Sequence, residues 1–113
     1  MAAGYQELFL EQGTSYATTL TLADVSGNPY DLTNYTAKSQ MKKSYYSSNT
    51  TAQFSISIIA PTSGVINMTL DSPSTSNIAA GRYVYDVVIK DSANNVSRVL
   101  EGIVNVVPSV TVF

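Results

Sequence analysis

The chain has 113 residues and a formal net charge of −2, and it contains no cysteine, histidine or tryptophan. At roughly 100–200 residues per domain, it forms one domain with a single modest core, residues 1–113. Without histidine there is no Ser-His-Asp or Cys-His relay, and without cysteine there is no thiol nucleophile or disulfide frame. Zinc, copper, haem and iron–sulfur centres lose nearly all their usual ligands. The expectation is a protein that is not an enzyme and carries no cofactor.

Charged residues make up 12% of the chain, about half the roughly 25% usual for a soluble domain. Serine and threonine fill the gap with 27 positions, while valine, isoleucine and threonine together supply 31 and tyrosine eight. Side chains branched at Cβ, and aromatic ones, sit well on a pleated sheet and lose rotamer freedom in a helix. The composition predicts an all-β protein. No apolar run approaches the roughly 20 residues that span a bilayer, so no membrane partner is expected. Met1–Glu7 lacks a basic n-region and an apolar h-region and does not read as a signal peptide. The expectation is synthesis in a cytoplasm, with the protein staying there or leaving as part of a larger object. Four Asn-X-Ser/Thr sequons, at Asn34, Asn49, Asn67 and Asn95, read as chance in so Asn-, Ser- and Thr-rich a chain.

Punctuation divides the chain into about seven extended runs. The first is Tyr5–Glu11, ending at Gly13. The second, Tyr16–Leu22, alternates strictly, with Tyr16, Thr18, Leu20 and Leu22 on one side. Asp24–Pro29 is a turn signal, since Gly27 and Asn28 tolerate positive φ. After a short Tyr30–Leu32 piece comes Tyr35–Lys42, where Tyr35, Ala37, Ser39 and Met41 oppose a wet face of Thr36, Lys38, Gln40 and Lys42.

Ser44–Thr51 is polar and reads as a loop. Phe54, Ile56 and Ile58 then alternate with Gln53, Ser55 and Ser57. Ala60–Gly64 turns the chain into Val65–Leu70, where Ile66, Met68 and Leu70 face one way. Asp71–Gly81 holds a one-turn helix, with Ser72 expected as N-cap and Pro73 at the first position. Tyr83, Tyr85, Val87 and Ile89 alternate with Val84, Asp86, Val88 and Lys90. Asp91–Asn95 is a hairpin loop, and Val96–Val107 returns. Pro108 interrupts before an apolar, β-prone tail, Ser109–Phe113. Strands at this spacing, without intervening helices, predict a β-sandwich.

Gly81-Arg82-Tyr83-Val84-Tyr85-Asp86-Val87, followed by Arg98–Gly102 and Val104–Pro108, together with Leu32–Lys38 and Gly64–Ile66, resembles small structural proteins of tailed bacteriophages. The same segments are similar to the immunoglobulin-like N-terminal domain of siphophage baseplate upper proteins. Gly4–Gly13 further resembles small virion proteins of marine cyanophages. The resemblance spans nearly the whole chain and carries no catalytic signature. It implies an immunoglobulin-like antiparallel β-sandwich of about seven strands and a structural role in the virion, assembled in the host bacterial cytoplasm. The residues also have a physical reading of their own. Gly81 permits a tight entry into its strand, and one buried phenol of Tyr83 or Tyr85 is placed to bond backbone across the corner. Asp86 and Arg98 are placed to pair on an outer face, which is worth only about 0–1 kcal/mol.

The eight carboxylates are scattered, and no spacing forces two onto one site as glycoside hydrolysis requires. Asp24–Asn28 echoes an oxygen-rich calcium loop but lacks the acidic residues that would follow, so a plain turn is expected. Lys38, Lys42 and Lys43 ahead of Tyr45 and Tyr46 suggest a surface for single-stranded nucleic acid. The acidic whole argues against it, since strand lysines usually solvate a face or blunt an edge. No nucleic-acid partner is expected. A tyrosine-rich loop that stacks on sugars keeps a host-glycan module as an alternative.

The oddity is high β content with little charge to protect the sheet edges. Leu8-Phe9-Leu10 and Val110–Phe113 are apolar and lie near the chain ends. Either both are strands of the same domain, or at least one is an arm, within 1–12 or 108–113, that adds a strand or a plug to a neighbouring subunit. The candidate interface residues are therefore Leu8, Phe9, Leu10, Tyr45, Tyr46, Val110, Val112 and Phe113. The expected partners are other virion proteins, either a major capsid protein or tail and baseplate proteins, met in many copies or as a homo-oligomer. The small single domain favours a capsid decoration protein over a baseplate, neck or tail adaptor.

Overall fold

Period-two alternation sets the long strands of the computed structural model, which describes residues 4–24 and 26–111. The strands are β1 (Gly4–Tyr5), β2 (Leu8–Glu11), β3 (Tyr16–Thr21), β4 (Thr36–Lys42), β5 (Ala52–Ala60), β6 (Val65–Leu70), β7 (Gly81–Lys90) and β8 (Val96–Val107). A 3₁₀ turn, Pro61–Ser63, precedes β6, and a short helix, α1 (Ser72–Ser76), follows it.

Two layers result. In the first, β1 and β2 pair in parallel with β8, and β8, β7, β4 and the start of β5 follow antiparallel. In the second, β3 pairs with β6 and β6 with the rest of β5. Strand β5 passes between layers after Phe54, which lies opposite Ser39 of β4, while Ser55 lies opposite Thr69 of β6. The core lies between the layers. Tyr83, Tyr85, Val87 and Ile89 enter it from one side and Ile66, Met68 and Leu70 from the other, with Leu22, Leu32 and Ile78 sealing it from the connections.

This is an immunoglobulin-like sandwich. Strands β4, β7 and β8 stand where C, F and G do, and β3, β6 and the second part of β5 where B, E and D do. The Tyr83 hydroxyl, near the start of β7, donates to Ala79 O at 2.7 Å, which makes the tyrosine corner of such folds.

Three details depart from the sequence expectations. The first run is two strands, because Gln6 leaves the ladder where it crosses Gly102. The helix N-cap is Asp71 rather than Ser72, since the Asp71 carboxylate accepts from Ser74 N–H at 2.9 Å and places Pro73 second in the helix. From Gly4 onward the N-terminal segment is no free arm. Its register on β8 runs Leu8–Glu11 opposite Val104–Val107, and Leu8 and Leu10 are buried in the core of their own domain. After β8 the residues through Thr111 form no strand, and Val110 is fully exposed.

Candidate interaction surface

Four of the aspartates are occupied by their own turns. Asp24 Oδ1 accepts from Ser26 N–H at 2.9 Å and Asn28 N–H at 3.0 Å, so the segment that echoes a calcium loop is a turn closed on itself. Asp31 Oδ1 accepts from the Thr33 hydroxyl and backbone, and Asp91 Oδ1 from the N–H groups of Ala93 and Asn95. These bonds favour the ionised form and hold the Asp31, Asp71 and Asp91 carboxyls below the usual carboxylate range. Among the described residues no three metal-ligating side chains converge.

The two layers turn very different faces outward. On the first, the β7–β8 register sets Asp86 opposite Glu101, with Arg98 one step along. Arg98 Nε lies 3.3 Å from Asp86 Oδ2, and Arg98 Nη1 lies 3.1 Å from Glu101 Oε2. Lys38 and Lys42 of β4 stand on the same face, opposite Val88 and Val84. A depression of about 180 Å³ opens there between Gln40, Lys42, Tyr45, Val84, Asp86 and Arg98. Lys43 sits over the Tyr83 ring, its Nζ 4.7 Å from the centroid.

The second face carries no charge at all. Strands β3 (YATTLT), β5 (AQFSISIIA) and β6 (VINMTL) contain no Asp, Glu, Lys or Arg. Their pairing builds rows of small uncharged residues: Ala17–Thr69–Ser55, then Thr19–Asn67–Ser57. Ile59 stands out of a bulge at the end of this face, more than half exposed. A protein surface depleted of charge resembles the core of an interface more than a surface built to stay wet.

Of the interface candidates, Phe9 is 65% exposed, Tyr46 98% and Val110 fully, and Tyr45 lines the depression. Leu8 and Leu10 leave the set, because alternation along β2 turns them inward and only Phe9 outward. Val112 and Phe113 lie outside the described residues. The fold therefore does not gather the candidates into one patch: Phe9 stands on β2, whereas Tyr45 and Tyr46 lie in the β4–β5 loop. The uncharged face went unread in the sequence. Its signal was the absence of charge from all three runs, spread over a stretch in which strand partnership is non-local.

No family model matches the chain, and none of the curated proteins does. Among solved structures it is similar to CopC from Methylosinus trichosporium OB3b, at 14% identity over all of this chain and 91% of that one, with a TM-score of 0.45. The sandwich assignment rests on strand order, register and the tyrosine corner instead.

Proposed function

We propose that the chain is a non-enzymatic structural protein of a tailed-phage virion, a capsid decoration protein that acts through many modest protein–protein contacts. One observation carries this reading: charge is divided between the two faces. A protein laid on a shell has one face covered and one face wet. The uncharged β3–β6–β5 face suits the covered side, and the face of Lys38, Lys42, Asp86, Arg98 and Glu101 suits water. Repetition over a symmetric particle multiplies a weak single contact into firm attachment.

Quantitative mass spectrometry of purified virions, separated into heads and tails, tests the proposal. Recovery with heads at copy numbers comparable to the major capsid protein supports decoration. Recovery with tails in low copy makes the protein a baseplate, neck or fibre adaptor instead. Absence from both ends the virion reading.

A second reading, a host-glycan module, is favoured by Tyr45. Its ring borders a depression that Gln40, Lys42, Asp86 and Arg98 line with hydrogen-bonding side chains beside Val84, and an aromatic plate beside polar groups is what a sugar requires.

A further inference from the structure

The outer edge of β3 is an open strand template. Leu22 N–H donates to Gly64 O at 2.8 Å, continuing the ladder in which Thr21 lies opposite Val65. Alternate residues of an antiparallel ladder turn N–H and C=O to the same neighbour. That phase aims Tyr16, Thr18 and Leu20 at β6 and turns Ala17, Thr19 and Thr21 away from it. Among the described residues no backbone group bonds these three, β3 pairs with β6 alone, and all three are exposed.

Natural sheets guard such edges with charge, proline, bulges or short interrupted strands. The outer edge of the first layer is guarded in that way, since it is broken between Tyr5 and Leu8 and carries Glu7 and Glu11. Strand β3 has none of these devices: six residues, no bulge in its register, no proline and no charge.

We infer that β3 pairs antiparallel with β3 of a second copy, about a two-fold axis at Thr19. In that register Thr19 faces Thr19 and Ala17 faces Thr21. Every hydrogen-bonded pair then uses residues whose N–H and C=O are free. On the core side the same register places Thr18 opposite Leu20 and Tyr16 opposite Leu22, so the second layers of the two copies run on as one continuous sheet. In a strand paired with its own copy about a two-fold axis, a charge at the axis would meet itself and one beside the axis would lie within a few residues of its own copy. Tyr16–Ala23 holds no charge to repel, and the net negative charge sits elsewhere on the molecule. The occupant is therefore this chain itself. The inference does not depend on which particle the protein serves.

Sedimentation velocity of the wild type and of Thr19→Lys and Thr19→Pro tests it. The wild type sediments as a dimer at concentrations below about 1 mM, and each variant weakens association by roughly tenfold or more. Both variants keep the wild-type melting temperature under monomeric conditions, because Thr19 is exposed and its N–H has no partner within the chain. The cysteine-free chain allows a second measurement. Opposed residues in a hydrogen-bonded pair have Cα atoms about 5.5 Å apart, within disulfide reach, so Thr19→Cys crosslinks to itself on mild oxidation. Ser57→Cys, two strands away on the same face, forms no disulfide-linked dimer. A wild type that remains a monomer to about 1 mM, a dimer that survives both Thr19 variants, or crosslinking of Ser57→Cys in preference to Thr19→Cys overturns the inference.

Discussion

The hydroxyl of Tyr85 donates to the carbonyl of Gln6 at 2.6 Å, across 79 positions of sequence. The contact exists because Gly102 lies opposite Tyr85 and has no Cβ; one added there would run into the Gln6 carbonyl. This triangle of Gln6, Tyr85 and Gly102 breaks the N-terminal run into β1 and β2 and pins it to the sandwich. Tyr85→Phe leaves the Gln6 carbonyl without its donor and costs about 1–3 kcal/mol. Gly102→Ala pushes the same carbonyl away and costs about 1–3 kcal/mol. The two losses are not additive, because each destroys the contact the other removes. Urea unfolding of both single variants and the double variant checks this. A strictly additive double variant shows that the two residues act separately.

The tyrosine corner gives a smaller loss. Tyr83 also donates to a backbone carbonyl, but its acceptor belongs to Ala79, an exposed residue. Water replaces the lost hydroxyl there, so Tyr83→Phe costs about 0.5–1.5 kcal/mol. In parallel urea titrations Tyr83→Phe is the milder of the two tyrosine variants. A larger loss than for Tyr85→Phe contradicts the assignment of the N-terminal pin as the costlier contact.

Stability against pH should be a plateau with two falling sides. Burial pushes the Tyr85 phenol well above its ordinary value near 10, and burial raises Tyr16 as well. The folded state therefore holds these protons more tightly than the unfolded chain. The stability they contribute is full below about pH 10 and declines as pH rises above it, by at most about 1.4 kcal/mol per pH unit for one group. On the acid side Asp31, Asp71 and Asp91 are held below the usual carboxylate range. Their contribution is present above the unfolded value near 4 and is lost as pH falls through the folded values. Tyr85→Phe flattens the alkaline limb and leaves the acid limb unchanged, while Asp71→Asn does the reverse. Thermal unfolding from pH 2 to about 11 measures both limbs.

Much of the fold was legible wherever one strand carried its own alternation. Tyr83, Tyr85, Val87 and Ile89 are all buried, as their period-two spacing requires. The turn at Asp24 and the hairpin at Asp91 were written in residues that bond their own backbone. Leu8-Phe9-Leu10 was not legible in the same way. Three apolar residues in a row hide the alternation, and their burial is decided by a parallel partner more than ninety residues later. The N-cap was missed by one position, because Asp71 and Ser72 are both capping residues and only the geometry chooses between them. The uncharged face failed for a related reason: β3, β5 and β6 share a layer only because β5 changes sheets after Phe54.

Charge added to the β3–β6–β5 face separates folding from attachment. Ser57 is exposed and Asn67 half-buried, and neither side chain makes a hydrogen bond among the described residues. Ser57→Lys and Asn67→Lys should each change folding stability by no more than about 0.5 kcal/mol. If this face is the one laid on the particle, both variants fold normally and are depleted from purified virions, because a lysine must shed its water to enter the contact. Copy number per particle is the measurement. Normal incorporation of both variants moves the attachment surface to the other layer.

The outer face of β7 and β8 decides between attachment and sugar recognition. Arg98→Ala removes two ion pairs, to Asp86 and Glu101, whose members are a quarter to a half exposed, and costs the fold no more than about 1 kcal/mol. Paired with Tyr45→Ala and Tyr46→Ala, it strips the depression of its aromatic plate and its main donor. Under the decoration reading such particles adsorb to cells as the wild type does, because this face stays in water and binds nothing. Under the glycan reading adsorption collapses while the particles remain intact and fully loaded with the protein. Adsorption rate and copy number, taken from the same preparation, tell the two apart: loss of adsorption at normal copy number makes the Tyr45 depression a receptor site, and normal adsorption ends the sugar reading.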